Sequence, residues 1–238
     1  MIPKLILGIT GDSGVGKTSF VKMLNEIFFD GNYCELNGDN YHKWERGNKN
    51  WNFFTHLNTS ANNLESGYLD LLSLKNGNKV NIKKYNHKTG KYNVPKTIYP
   101  KEIIVYEGLH AFLPKKINSI YDLKIFIKAD EPLRRHWKII RDMTERKYSR
   151  DKVLKQIESR LVDSLNFIDT QEKYADLIIH HQLTTDATSF LNLQGDSQIN
   201  VEYETKIICA NPIYYDYINP EWDIKKQLKK CLIKAMKK

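Results

Sequence analysis

Cysteine is scarce: Cys34, Cys209 and Cys231 are the three in 238 residues, widely spaced and never arranged as C-x-x-C. An odd, scattered set excludes a disulfide framework or a cysteine-held zinc as the organising device. Long apolar runs are also missing. The first, Leu5–Ile9, is too short for a secretory leader or a membrane span. The expectation is therefore a reduced, soluble, cytoplasmic protein with no membrane partner. There are no internal repeats and no low-complexity segments. A guanine-reading N-K-x-D is missing, and its nearest imitation, "IKAD" at 127–130, lacks the Asn, which argues against a GTPase-type switch. No helix-turn-helix and no strand platform of aromatic and basic residues occurs. The net charge of +9 favours anionic partners, but Lys is scattered except in the terminal run 229–238. No nucleic-acid partner is expected.

The chain is 41% hydrophobic, enough for one substantial core. "KLILGIT" is a short, wholly apolar run leading into Gly11, the pattern of a parallel strand buried on both faces. Phe20, Leu24, Ile27 and Phe28 then recur at helical spacing, "DGN" turns the chain, and "YCEL" reads as a second strand. Strand, helix and strand with tight joints make a βαβ unit and a parallel sheet. Residues 44–60 have no period and read as a long loop, and Leu64, Tyr68, Leu71 and Leu72 predict a helix ending at Asn76-Gly77. "KVNIKKY" and "VPKTIYP" flank "NHKTGKY" as a hairpin or paired extended segments. "EIIVYEGL", "DLKIFIKA" and "DLIIH" read as further strands. A helix is expected over 131–146, with Leu133, Trp137, Ile140 and Thr144 as its less polar stripe, and another from about Asp151. The βα rhythm fades after residue 182. This divides the chain into a main domain, 1–182, and an extension, 183–238, made of a strand in "INVEYETKIICA" and an amphipathic helix. Asn219 as cap and Pro220 in the first turn are the expected start of that helix. The extension would pack on the core or serve an oligomer contact.

Residues 11–18, "GDSGVGKT", fit G-x-x-x-x-G-K-[ST] through Gly11, Gly16, Lys17 and Thr18. Glycines let the backbone curl so that successive N–H groups point at phosphate oxygens. The helix that follows adds its N-terminal dipole. Lys17 reaches the outer phosphates, and the Thr18 hydroxyl suits Mg²⁺. Asp12, Ser13, Gly14, Val15 and Ser19 complete the cradle, which sits between a buried strand and an amphipathic helix, as its mechanism requires. A nucleoside triphosphate is the expected ligand.

Just past the second strand, "GDNYHKWER" bunches Asp39, His42 and Arg46. Ligands of open α/β sheets bind outside the carboxyl ends of the strands. There a carboxylate can accept the proton of an attacking hydroxyl, while His and Arg fix a second, anionic substrate. The competing reading is a turn-capping Asp39 and a solvated Arg46. Glu107 ends the strand "IIVYEG" and suits a Mg²⁺-orienting role. Lys138, Arg141 and Arg146 place positive charge on one helix, to stabilise a transferring phosphoryl group and brace a lid. On spacing alone, ordinary surface pairing of Lys138 with Asp142 and Arg141 with Glu145 explains them as well.

Seven stretches fall in order, "GDSGVGKTSF", "GDNYHKWER", "LNTSANNLE", "YNHKTGKY", "IIVYEGLHAF", "WKIIRDMTER" and "IDTQEKYADLII", within roughly residues 4–180. Together they resemble the phosphoribulokinase/uridine kinase family of P-loop kinases, with the phosphoribulokinase branch the closer. The resemblance implies an α/β P-loop kinase fold, a mainly parallel sheet flanked by helices with a small hairpin or lid region. It implies ATP and Mg²⁺, with Asp39 as catalytic base and Glu107 as the metal-associated acid. His42 and Arg46 fall on sugar-phosphate contacts. Lys138, Arg141, Asp142 and Arg146 fall on the helix that serves transition state, substrate and lid, and His87 lies in the segment reaching the acceptor's side. Ribulose 5-phosphate is the first acceptor implied. Uridine, cytidine or an unusual sugar or polyol are the alternatives. A homo-oligomer, dimer or higher, is expected. Val15 stands where redox-regulated phosphoribulokinases carry a P-loop Cys, so no thiol switch is expected.

Overall fold

A computed structural model describes residues 2–184 and 201–237. Residues 185–200, within the expected extension and including the start of its strand at Ile199, lie outside the described residues. The centre is a six-stranded sheet in the order β10-β9-β8-β1-β7-β2. Its strands are β1 (Leu5–Thr10), β2 (Tyr33–Asn37), β7 (Ile103–Gly108), β8 (Leu123–Ala129), β9 (Leu177–Leu183) and β10 (Tyr203–Cys209). The first five in space after β10 run parallel, and β10 pairs antiparallel with β9. Every residue of β1 and of β7 is buried, which is why both read as unbroken apolar runs.

The two sheet faces carry separate cores. Leu5, Leu7 and Ile9 join helix α1 (Lys17–Leu24) on one side, and Ile6 joins helix α2 (Leu64–Lys75), Phe112 and Tyr121 on the other. The C-terminal helix α5 (Ile224–Ala235) lays Leu228, Cys231, Leu232 and Ala235 into the α1 face, leaving Lys225, Lys226 and Lys229 in solvent. Its start differs from the expectation. Asp223, not Asn219, caps it, accepting a 2.9 Å bond from the Lys226 N–H. Asn219 instead closes a turn by accepting from the Glu221 N–H at 2.8 Å. Both side chains are competent caps, and only the one whose following residues turn helical becomes one.

The segment between α2 and β7 is a nested hairpin: β3 (Val80–Ile82) pairs with β6 (Lys96–Ile98), and β4 (Tyr85–Asn86) with β5 (Lys91–Tyr92). Helices α3 (Glu131–Thr144) and α4 (Arg150–Asp163) pack together beyond the sheet's carboxyl end through Ile139, Val153 and Ile157. On α3 the expected stripe is rotated. Leu133 is buried, but Trp137 and Ile140 are only half-buried and Thr144 is exposed, whereas Arg134, Lys138 and Asp142 are buried. The polar face turns inward because it meets partners there. Arg134 pairs with Asp12 at 3.0 Å and Lys138 with Asp142 at 2.8 Å. Among the described residues no helix is long and apolar enough to cross a membrane.

Candidate active site

The loop Gly11–Thr18 joins β1 to α1. Gly16, at φ 87°, is the cap of α1 and makes no side-chain bond, so the first-turn N–H groups face outward. Gly14 is required at φ 97°, and a Cβ there would lie 2.9 Å from the Lys138 Cβ. The loop tip meets α3 at Ser13, whose Oγ accepts from Arg141 at 3.1 Å and from Lys138 at 3.5 Å. Asp12 is held by Arg134 and by the Ser164 hydroxyl, which donates at 2.7 Å. Lys17 folds over the loop and donates to the Gly11 and Asp12 carbonyls at 2.8 and 2.9 Å. Burial lowers its pKa, against the pull of Glu107, Asp12 and Asp39.

Register then places the acids. Asn37 at the end of β2 lies opposite Glu107 in β7, and the Gly38 and Gly108 backbones nearly touch: a Cβ on Gly38 would sit 3.1 Å from the Gly108 Cα. The Asn37 amide donates to Glu107 Oε1 at 2.6 Å, and the Thr18 hydroxyl donates to the same oxygen at 3.3 Å. Glu107 Oε2 is buried with no hydrogen-bond partner. Burial first, and Glu35 second, push the Glu107 carboxyl up to about 7. An orphaned carboxylate oxygen beside a hydroxyl fits a hard divalent cation such as Mg²⁺, and Thr18 and Glu107 are the residues that would hold it.

Asp39 opens a short turn, its N–H bonded to Asn37 Oδ1 at 2.9 Å. Its carboxylate, 28% exposed, faces His87 Nε2 at 2.9 Å and His42 Nε2 at 3.5 Å. The His42 Nδ1 is committed to Asn62 Oδ1 at 2.7 Å, because the Asn62 amide itself donates to the His56 and Asn58 carbonyls. Burial raises the Asp39 pKa, yet the His87 bond and the charges of His42, His87 and Lys17 outweigh it and hold the carboxyl below the usual range. His87 arrives from a hairpin docked onto this motif. Asn40 Oδ1 accepts from the Tyr85 N–H at 2.8 Å, and the Tyr92 hydroxyl donates to the His42 carbonyl at 2.6 Å. Arg46 donates to the His87 and Lys88 carbonyls at 2.5 and 3.1 Å. It pins the hairpin and still has donors to spare.

The expected residues therefore form two adjoining groups. Lys17, Thr18, Glu107, Lys138, Arg141 and Asp142 gather at the loop. Asp39, His42, Arg46, His87 and Arg146 line a cavity of about 360 Å³ that also reaches Ser13. Surface pairing does not describe Lys138, which is 1% exposed. Asp142 is the hub of α3, bonded to Lys138, Arg141 and Arg146 at 2.8, 2.8 and 3.3 Å.

A sequence profile of the phosphoribulokinase/uridine kinase family matches residues 6–188. The chain belongs to the phosphoribulokinase/uridine kinase family. A phosphoribulokinase of Synechocystis sp. is 31% identical over 175 residues, 74% of this chain and 53% of the relative. A uridine kinase of Borrelia duttonii is 32% identical over 182 residues, 73% of this chain and 85% of the relative. The chain spans about half the length of this Synechocystis phosphoribulokinase and of the chloroplastic phosphoribulokinase of Arabidopsis thaliana. A solved phosphoribulokinase from Rhodobacter spheroides shares the fold over 99% of this chain and 98% of its own, with a TM-score of 0.73 at 18% identity.

Family motifs did not mark the rest of the cavity wall. Trp51, Phe54 and His56 enter from the 44–60 loop, Tyr85 from the hairpin, and Tyr148, Lys152, Gln156, Ser159 and Arg160 from α4 and its approach. The aromatic density of "WNFFTH" was the available signal, since the Trp51 and His56 rings meet tilted at 3.9 Å and those of His56 and His42 tilted at 4.8 Å.

Proposed function

We propose that this chain is an ATP-dependent kinase transferring the γ-phosphoryl group to a hydroxyl of a small sugar phosphate, with ribulose 5-phosphate the first candidate. The observation that carries the reading is the cavity wall: among the described residues Asp39 is its one carboxylate, and it shares the wall with the cations Arg46, Arg146, Lys152 and Arg160. Such a wall suits an acceptor that is both anionic and hydroxylated.

In this reading the loop amides and Lys17 hold the phosphates. Mg²⁺, held by Thr18 and Glu107, would offset the charge on the β- and γ-oxygens. Asp39, fixed by His42 and His87, accepts the acceptor's hydroxyl proton late in a loose transition state. Lys138 and Arg141, already on Ser13, face the equatorial oxygens of the group in transfer. Asp142 positions both cations.

One observation favours a second reading, a uridine or cytidine kinase: the aromatic wall of Trp51, Phe54 and Tyr85 suits a flat ring. A coupled ADP-release screen across pentose phosphates, nucleosides and polyols separates the two. Turnover of a pentose phosphate, with Arg46→Ala raising its KM by about tenfold or more, supports the first. Turnover of nucleosides alone, indifferent to Arg46→Ala, replaces it with the second.

A further inference from the structure

Helix α4 carries Lys152, Gln156, Ser159 and Arg160 at i, i+4, i+7 and i+8, one face of a helix. All four line the cavity that holds Asp39. The other face is apolar, with Val153 and Ile157 packed on Ile139 of α3. The helix is also tied down where it ends. Thr55 and Asn58 donate to the Asp163 carboxylate at 2.7 and 3.3 Å, and Ser164 donates to Asp12 of the phosphate loop at 2.7 Å. The polar stripe is thereby held in register with both the loop and the aromatic wall.

Its charges are not spent on the helix. Glu158 pairs with Arg135 of α3 at 2.6 Å, and Asp163 is taken by Thr55 and Asn58. Among the described residues neither Lys152 nor Arg160 is in a salt bridge. Lys152 and Arg46, more than 100 positions apart in the chain, lean on the same ring, with their charges 4.0 and 5.9 Å from the Tyr148 centroid. Two cations that make no salt bridge among the described residues converge there at the cavity wall, followed along α4 by an amide, a hydroxyl and a guanidinium.

We infer that this stripe is the specificity wall of the acceptor site: Lys152 binds the acceptor's phosphate together with Arg46, and Gln156 and Ser159 hydrogen-bond its non-reacting hydroxyls. The ligand class is a polyhydroxylated monophosphate, and the inference rests on the sugar-phosphate reading above. Lys152 and Ser159 are exposed and Gln156 half-buried, so their replacement leaves the α3–α4 packing intact.

The test uses the full chain and its Lys152→Ala, Gln156→Leu and Ser159→Ala variants, with ribulose 5-phosphate, ribose 5-phosphate and uridine as acceptors. Lys152→Ala is expected to raise the KM of the phosphorylated acceptor by about tenfold with the ATP KM unmoved. Gln156→Leu and Ser159→Ala are expected to change the kcat/KM ratio between the two pentose phosphates by about fivefold. Acceptor KM and that ratio staying within about twofold in all three variants overturns the inference. If uridine alone is turned over, the sugar-phosphate reading and the role of Lys152 fail together, and the uridine KM of Gln156→Leu then decides the hydroxyl contacts. If none of the three turns over, calorimetry with inorganic phosphate decides: weaker binding by Lys152→Ala supports the wall, and equal binding overturns it.

Discussion

Asp142→Asn and Lys138→Met remove opposite halves of one buried ion pair, and the structure assigns them unequal costs. The two side chains are 2% and 0% exposed, Lys138 and Asp142 respectively. Among the described residues Lys138 has a single anion, with Ser13 Oγ its one other partner at 3.5 Å. Burial already pulls its pKa down to about 7 against the attraction of Asp142. Removing the carboxylate strands that ammonium wherever it stays protonated, below about pH 7, at a cost that reaches about 3 kcal/mol near pH 5. Lys138→Met is different, because Asp142 keeps Arg141 at 2.8 Å and Arg146 at 3.3 Å, and Met matches the apolar stem. Its expected cost is about 1 kcal/mol. The double variant no longer strands the buried ammonium and leaves without this anion only Arg141 and Arg146, which are part-exposed, so it should be more stable than Asp142→Asn alone, with a coupling of about 2 kcal/mol or more. Urea unfolding of the four proteins measures this directly, and at roughly 2–4 °C per kcal/mol thermal melts show it too. Additive costs, or a Lys138→Met variant as unstable as Asp142→Asn, would refute the assignment of Asp142 as the hub.

Four further outcomes are expected. Asp39→Asn should lower kcat by ~10²–10⁴-fold while the KM for ATP stays within a few fold; near-normal turnover removes Asp39 from the chemistry. Gly14→Ala forces a side chain into φ 97° and against Lys138, so the KM for ATP should rise and stability fall by about 1–3 kcal/mol, read by nucleotide titration and melting. Burial lowers the His110 pKa from 6.5 to about 4, so the unfolded chain takes up this proton first and stability is lost as pH falls from about 6.5 through 4. His110→Leu should flatten the acid side of the stability profile by up to about 1.4 kcal/mol per pH unit over that window, and an unchanged slope would contradict it. Glu107→Gln should raise the Mg²⁺ concentration for half-maximal turnover by about tenfold or more, measured by titrating Mg²⁺ at saturating ATP.

Much of the site was legible before the fold. The phosphate loop is written in consecutive residues, because a curled backbone needs its glycines in place and a helix must follow at once. Asp39 and Glu107 each stand at the carboxyl end of an apolar run, and parallel pairing of β2 with β7 necessarily brings such ends together. The inward polar face of α3 was not legible. Its expected apolar stripe obeys the helical period, but Arg134 and Lys138 are turned inward by partners in the loop some 120 positions away, Asp12 and Ser13, and Asp142 follows as the anion of Lys138. The choice of Asp223 over Asn219 as cap was equally undetermined, since each is a sound cap taken alone.

The amino-acid order by itself determined the βαβ core, the glycine-rich loop between β1 and α1 and the two acids at the strand ends, all of them products of local backbone preference and burial period. Of what surrounds Asp39, His42, Arg46 and His87 were expected from the sequence; the tertiary structure alone decided the rest, and how all of it meets. The hairpin delivers His87, the 44–60 loop delivers the aromatic wall, and α4, tied through Asp163 and Ser164, delivers Lys152, Gln156, Ser159 and Arg160. None of these residues is near Asp39 in sequence except through long loops. Their meeting depends on hydrogen bonds between distant segments, and periodicity carries no trace of such bonds.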